Sequence, residues 1–123
     1  MEYYTTFLTI ASPQIEQLIQ FYKALFQQKP NPYIPNKYAE FEIKGGLKLG
    51  IFKPRVDQEL EFSQPQKSAM SLCVEVENLE GAIAHLNSLG YPPKTDIMTA
   101  SHGREIYAYD PDGNRLILHS SKN

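Results

Sequence analysis

One order of elements is written twice along this chain, and that repetition limits the folds open to it. Tyr3 to Ala11 alternates and is rich in β-branched and aromatic residues, which predicts a strand. Ser12-Pro13 then reads as the start of a helix, with Ser12 as N-cap and Pro13 in the first turn. Ile15, Leu18, Ile19 and Tyr22 recur at helical spacing, and Phe21, Leu25 and Phe26 widen the stripe. The helix should stop before Pro30, and residues 31–36 read as a loop. Tyr38 to Ile43, a Gly45-Gly46 turn and Leu47 to Phe52 form a hairpin. Ala69 to Glu77 begins the same order again. Asn78 caps a second helix with the stripe Leu79, Ile83, Leu86 and Leu89, Gly90 ends it, and Pro92-Pro93 bars continuation. Asp96 to Thr99 reads as a short strand and Ser101-His102-Gly103 as a turn. Between the halves, 57–67 lacks periodicity and is expected to be a linker with at most one short strand. The predicted class is α+β: two βαβββ modules, approximately 1–56 and 68–121, in one domain.

The second module closes on the most informative stretch, Arg104-Glu-Ile-Tyr-Ala-Tyr-Asp-Pro-Asp-Gly-Asn-Arg-Leu-Ile-Leu-His119. Asp110 to Asn114 is strong turn chemistry: proline presets φ, aspartate bonds nearby backbone, and glycine accepts φ > 0. Strand alternation puts Ile106, Ala108, Leu116 and Leu118 on one apolar face. Tyr107, Tyr109, Arg115, Ile117 and His119 fall on the other. That mixture of aromatic, basic and imidazole groups suits the wall of a polar-lined cavity.

Tyr107-Ala-Tyr-Asp-Pro-Asp-Gly-Asn114 followed by Leu116-Ile-Leu resembles the closing hairpin of the glyoxalase / bleomycin-resistance / dioxygenase superfamily, also called vicinal oxygen chelate proteins. Phe21-Tyr22, Leu86 and Gly90 also fall where that family commonly has similar residues, and the resemblance covers essentially the whole chain. It implies two curled mixed sheets forming a cup with helices outside and a ligand inside. Metal-dependent members carry His, Glu or Gln ligands on the first strand and a late strand of each half. Ungapped matching puts those positions at Phe7, about Leu49, Ser71 and Ile117, which offer no usable ligand set. No metal and no cofactor is therefore expected at them. A shifted site built from Cys73, Glu75 and His119, all cup-facing by alternation, is the alternative.

What the resemblance then implies is a metal-free small-molecule-binding protein similar to the bleomycin-resistance proteins. Its expected ligand-facing residues are Phe7, Tyr38, Ser71, Cys73, Arg104, Tyr107, Tyr109, Arg115, Ile117 and His119, with no catalytic residue assigned. A lyase/isomerase-like or dioxygenase-like enzyme with a noncanonical metal is the alternative. His119 reads either as a surface residue near the chain end or as a ligand-facing imidazole, and His102 as an exposed turn residue or a small stacking group. A lone cysteine leaves no internal disulfide, which suits a reducing, cytoplasmic setting. Net charge is −2 with scattered Lys and Arg, so nucleic acid is not an expected partner. No apolar run reaches the roughly 20 residues of a membrane span, and no signal peptide is expected. The first strand has no Lys or Pro to blunt its edge, so a homodimer is expected.

Overall fold

The computed structural model describes residues 1–121 of the 123-residue chain. The chain divides into two units, Met1–Ser63 and a second beginning at Gln64.

The first unit runs β1 (Leu8–Ala11), α1 (Ile15–Phe26), β2 (Tyr33–Ile34), β3 (Tyr38–Ile43) and β4 (Leu47–Phe52). Its sheet has the order β1-β4-β3-β2, with β1 parallel to β4 and the other pairs antiparallel. The stripe of α1 is buried as the spacing predicts: Ile15, Leu18, Ile19 and Tyr22 are almost fully covered. They are buried together with Ala39, Phe41, Leu49 and Ile51, alternate residues from one face of the sheet.

Several boundaries differ from the pattern. The first strand begins at Leu8 rather than Tyr3, and its parallel ladder with β4 runs from Leu8–Leu49 to Ala11–Phe52. The first helix starts at Ile15, with Gln14 as its cap residue; the Ser12 hydroxyl accepts a bond from the Gln14 amide at 3.1 Å in the preceding turn. The loop after α1 contains the two-residue strand β2, which the Glu16 carboxylate supports by accepting from Tyr33 Oη at 2.5 Å and from the Asn36 amide at 2.8 Å. Segments Val56–Phe62 and Pro65–Lys67 of the expected linker are short 3₁₀ helices, not strand.

The second unit runs β5 (Ser71–Glu75), α2 (Leu79–Leu89), β6 (Met98–Ala100), β7 (Gly103–Tyr109) and β8 (Arg115–Ser121). Its sheet repeats the first, with order β5-β8-β7-β6 and β5 parallel to β8. Asn78 Oδ1 accepts from the Gly81 amide at 2.9 Å, and Gly90 ends α2 at φ 91°. Leu79 and Leu86 from α2 are buried, as are Ile106, Ala108, Leu116 and Leu118 from one sheet face. Each unit is thus a βαβββ module with a helix on one face of a four-stranded mixed sheet.

The β7–β8 turn is held by Asp110, which is 3% exposed. Its Oδ1 accepts from the amides of Asp112 (3.0 Å) and Asn114 (2.9 Å), and its Oδ2 from Asn114 Nδ2 (2.8 Å). This fixes the register that pairs Tyr109 with Arg115 and Ala108 with Leu116. A slip by one would drive charged groups into the helix-covered face.

Leu116→Asp and Ala108→Asp should each abolish soluble expression, since an unpaired buried carboxylate costs about 3 kcal/mol or more. Tyr109→Ala, on the exposed face, should fold with a cooperative thermal transition by circular dichroism. Equal behaviour of all three would reverse the assignment of faces.

Candidate functional site

The sheet face of the second unit that α2 does not cover is ordered by register into rows. Ser71, Arg115 and Tyr109 form the row nearest the Asp110 turn. Cys73, Ile117 and Tyr107 form the next, and Glu75, His119 and Glu105 the third. Registered residues of adjacent strands point to the same side, so these nine side chains share one face.

The first row is a held guanidinium beside an exposed ring. Arg115 Nε donates to Ser71 Oγ at 2.6 Å and Nη2 to the Ser68 carbonyl at 3.3 Å, while Tyr109 is 36% exposed. Tyr109 also lines an open groove of about 740 Å³ with Tyr91, Pro92, Pro93, Lys94 and Asp110. The middle row is apolar apart from its thiol and the Tyr107 hydroxyl. Cys73 is exposed, not the small buried side chain that its type suggests, and burial of its sulfur together with the Glu75 and Glu105 charges pushes the thiol pKa up. It is therefore a weak nucleophile.

The third row is the most polar. His119 is buried, not a frayed surface residue. Its Nδ1 lies 2.5 Å from Glu75 Oε1, and Glu75 Oε2 accepts from Ser121 Oγ at 3.2 Å. An ionised carboxylate only accepts, so Nδ1 carries a proton, and in the neutral ring Nε2 presents its lone pair. His102 from the β6–β7 turn lays its ring over His119, with centroids 5.2 Å apart and planes 13° from parallel. Gly103 permits this approach. It sits at φ 146°, and a Cβ there would collide with the Ser120 carbonyl oxygen and meet His119 Nε2 at 3.0 Å.

Arg104 belongs to the opposite face. It pairs with Glu80 of α2 through Nη1–Oε2 at 2.6 Å and Nη2–Oε1 at 3.0 Å, so it is occupied as a structural clamp rather than aimed at a ligand. In the first unit, Phe7 precedes β1 and is 45% exposed. Tyr38 lies against Gly50, where a Cβ would meet its hydroxyl at 2.8 Å, and donates to Glu40 Oε1 at 3.2 Å. Burial, then the Glu40 charge, raises its pKa. Leu49, aligned with a metal position by counting, is fully buried on the α1 side.

The superfamily's metal does not fit the residues at its usual positions. Phe7 and Ile117 carry no lone pair, Leu49 is core, and the Ser71 hydroxyl is already bonded to Arg115. Sequence reasoning missed Glu105 as a member of the open-face cluster and, though it offered His102 as a small stacking group, did not place it beside His119. Glu105 was legible by alternation with Tyr107; His102 was not, because a turn residue carries no period.

The Glu80–Arg104 pair sets a pH dependence. The bidentate bond from Arg104 is the largest cause lowering the Glu80 pKa from the ordinary 4.5 to about 2. A depressed carboxylate contributes above its unfolded value and loses that contribution as pH falls through the folded one. Both side chains are substantially exposed, so the effect is small. Glu80→Gln should lower the melting temperature near pH 6, and that deficit should vanish on approach to ~pH 2. A deficit that persists unchanged at ~pH 2 would assign it to packing instead.

A sequence model of the Glyoxalase/Bleomycin resistance protein/Dioxygenase superfamily matches residues 5–118. No curated protein sequence matches the chain. Among solved structures, the genomically encoded fosfomycin resistance protein FosX of Listeria monocytogenes is similar at TM-score 0.74 and 19% identity, over 99% of this chain and 96% of that one. The bleomycin resistance determinant encoded on transposon Tn5 aligns at TM-score 0.68 and 16% identity, over 98% and 100%. Protein ATC0852 of Agrobacterium tumefaciens aligns at TM-score 0.67 and 25% identity, over 96% and 95%.

Proposed function

The chain belongs to the Glyoxalase/Bleomycin resistance protein/Dioxygenase superfamily, and we propose that it binds a small, partly aromatic molecule on the uncovered sheet face of its second unit. The observation that carries this reading is the row structure of that face. Tyr109 and Tyr107 offer ring surface, Ile117 an apolar floor, and Arg115 a fixed cation at one end. Rings bury large area at low entropic cost, and a guanidinium already oriented by Ser71 meets an anionic or carbonyl group without further ordering. Recognition runs through these side chains and not through a metal at Phe7, Ser71 or Ile117. The proposed role is binding alone, in which no bond need be broken.

For the first unit, taken by itself, we propose Phe7 and Tyr38 as ligand contacts, and for the chain a cytoplasmic setting, which the exposed Cys73 thiol favours. No described helix is long and apolar enough to cross a membrane.

A thermal-shift screen of small aromatic acids and amphiphiles tests the reading. At least one compound should raise the melting temperature of the native chain, and Tyr107→Ala and Arg115→Ala should each weaken its binding about tenfold or more while remaining folded. Compounds that shift both variants as they shift the native chain would place binding elsewhere.

We also propose a homodimer. Phe7, Tyr33, Ile34 and Leu47 are exposed on the first unit, and β1 and β2 are its edge strands. Light scattering at micromolar concentration should give twice the 14.0 kDa chain mass. A monomer under those conditions would exclude the dimer.

A further inference from the structure

The third row of the open face holds ligating groups that stacking of an aromatic molecule does not use. We propose that His102, Glu105 and His119 form a divalent-metal site for a borderline first-row ion such as Zn²⁺, Co²⁺ or Ni²⁺. One ligand atom from each of these residues lies within 4.8 Å of the others. Two imidazoles and one carboxylate are the donor set that such ions take, and three protein ligands leave a fourth position open to water or an oxygen donor.

An independent observation points the same way. His119 is 8% exposed, and its Nε2 is buried without a hydrogen-bond partner. A buried nitrogen lone pair is costly to leave unmade, and ligand atoms of His102 and Glu105 lie within 4.8 Å of a ligating nitrogen of the same ring. The far side of the same ring is already organised as a metal-bound histidine requires. Nδ1 donates to Glu75, which fixes the tautomer and ring orientation and raises the basicity of Nε2. Ser121 in turn bonds the other Glu75 oxygen. Glu75 is a positioning residue in this arrangement, not a ligand.

The geometry needs a contraction and a turn of the His102 ring out of its stack on His119, because a ligating lone pair lies in the ring plane. Tetrahedral bonds of about 2.0–2.1 Å place ligand atoms roughly 3.4 Å apart. The movement falls on His102, an exposed residue of the β6–β7 turn, whose neighbour Gly103 lets the backbone approach the His119 ring. The site is displaced from the superfamily's usual position: it lies one row along the sheet from Ile117, toward the end of β8 away from the Asp110 turn. It revises the expectation of a metal-free protein and does not depend on the small-molecule reading.

The test uses the full chain, stripped with EDTA and dialysed, then titrated with Zn²⁺ by calorimetry and with Co²⁺ by visible absorption. One ion per chain should bind and raise the melting temperature. His102→Ala and Glu105→Gln alter exposed or half-buried groups, and each should weaken Zn²⁺ affinity tenfold or more with the fold retained by circular dichroism. Glu75→Gln should weaken it by about 10- to 100-fold, and His85→Ala should leave it unchanged. Absence of stoichiometric binding would overturn the proposal. So would binding that His102→Ala and Glu105→Gln retain at native affinity.

Discussion

Three hydrogen bonds accepted by the Asp110 carboxylate hold the turn between β7 and β8, and the second unit depends on the register they set. With Asp110 nearly fully buried, each amide that lost its acceptor would cost about 1 kcal/mol or more. The register sends Ile106, Ala108, Leu116 and Leu118 into the face buried with Leu79 and Leu86 of α2. The same register sends Tyr107, Tyr109, Arg115, Ile117 and His119 the other way. Core and candidate site are therefore two sides of one constraint, and neither can shift without the other.

The uncovered face is graded along the strands. Near the turn it offers a tethered guanidinium and an exposed ring, in the middle a mostly apolar strip, and at the far end a carboxylate–imidazole pair. A gradient of this kind would orient the ligand proposed for this face, with its charged groups toward the ends. The first unit builds the same topology but a different face. Tyr38 covers Gly50 and donates to Glu40, and no imidazole stands on its strands. The duplication thus preserves the scaffold while the chemistry differs between copies.

Much of this was legible in the sequence, for identifiable reasons. The stripe Ile15, Leu18, Ile19 and Tyr22, the Asn78 and Gly90 caps, and the Asp-Pro-Asp-Gly-Asn turn are local signals, and the structure carries all of them. The faces of β7 and β8 followed from alternation. What failed was non-local. β1 starts at Leu8, where its ladder with β4 begins, a limit that Tyr3 to Phe7 do not encode. Arg104 reads as a free strand cation until α2 brings Glu80 against it. His119 leaves two readings open, a surface residue near a chain end or a ligand-facing imidazole, and its burial beside His102 and Gly103 removes only the first. Leu49 was assigned to the wrong face because its position was reached by counting rather than by its pairing with Phe41.

The state of the His119 ring tests the account most directly, because the ring belongs to the register, to the open face and to the carboxylate pair at once. Long-range ¹H–¹⁵N correlation spectroscopy of the imidazoles reads which nitrogen carries the proton. For the neutral ring the account predicts the Nδ1–H tautomer of His119, and loss of that preference in Glu75→Gln. An Nε2–H tautomer, or a ring that exchanges freely between the two forms as an exposed histidine does, would contradict it.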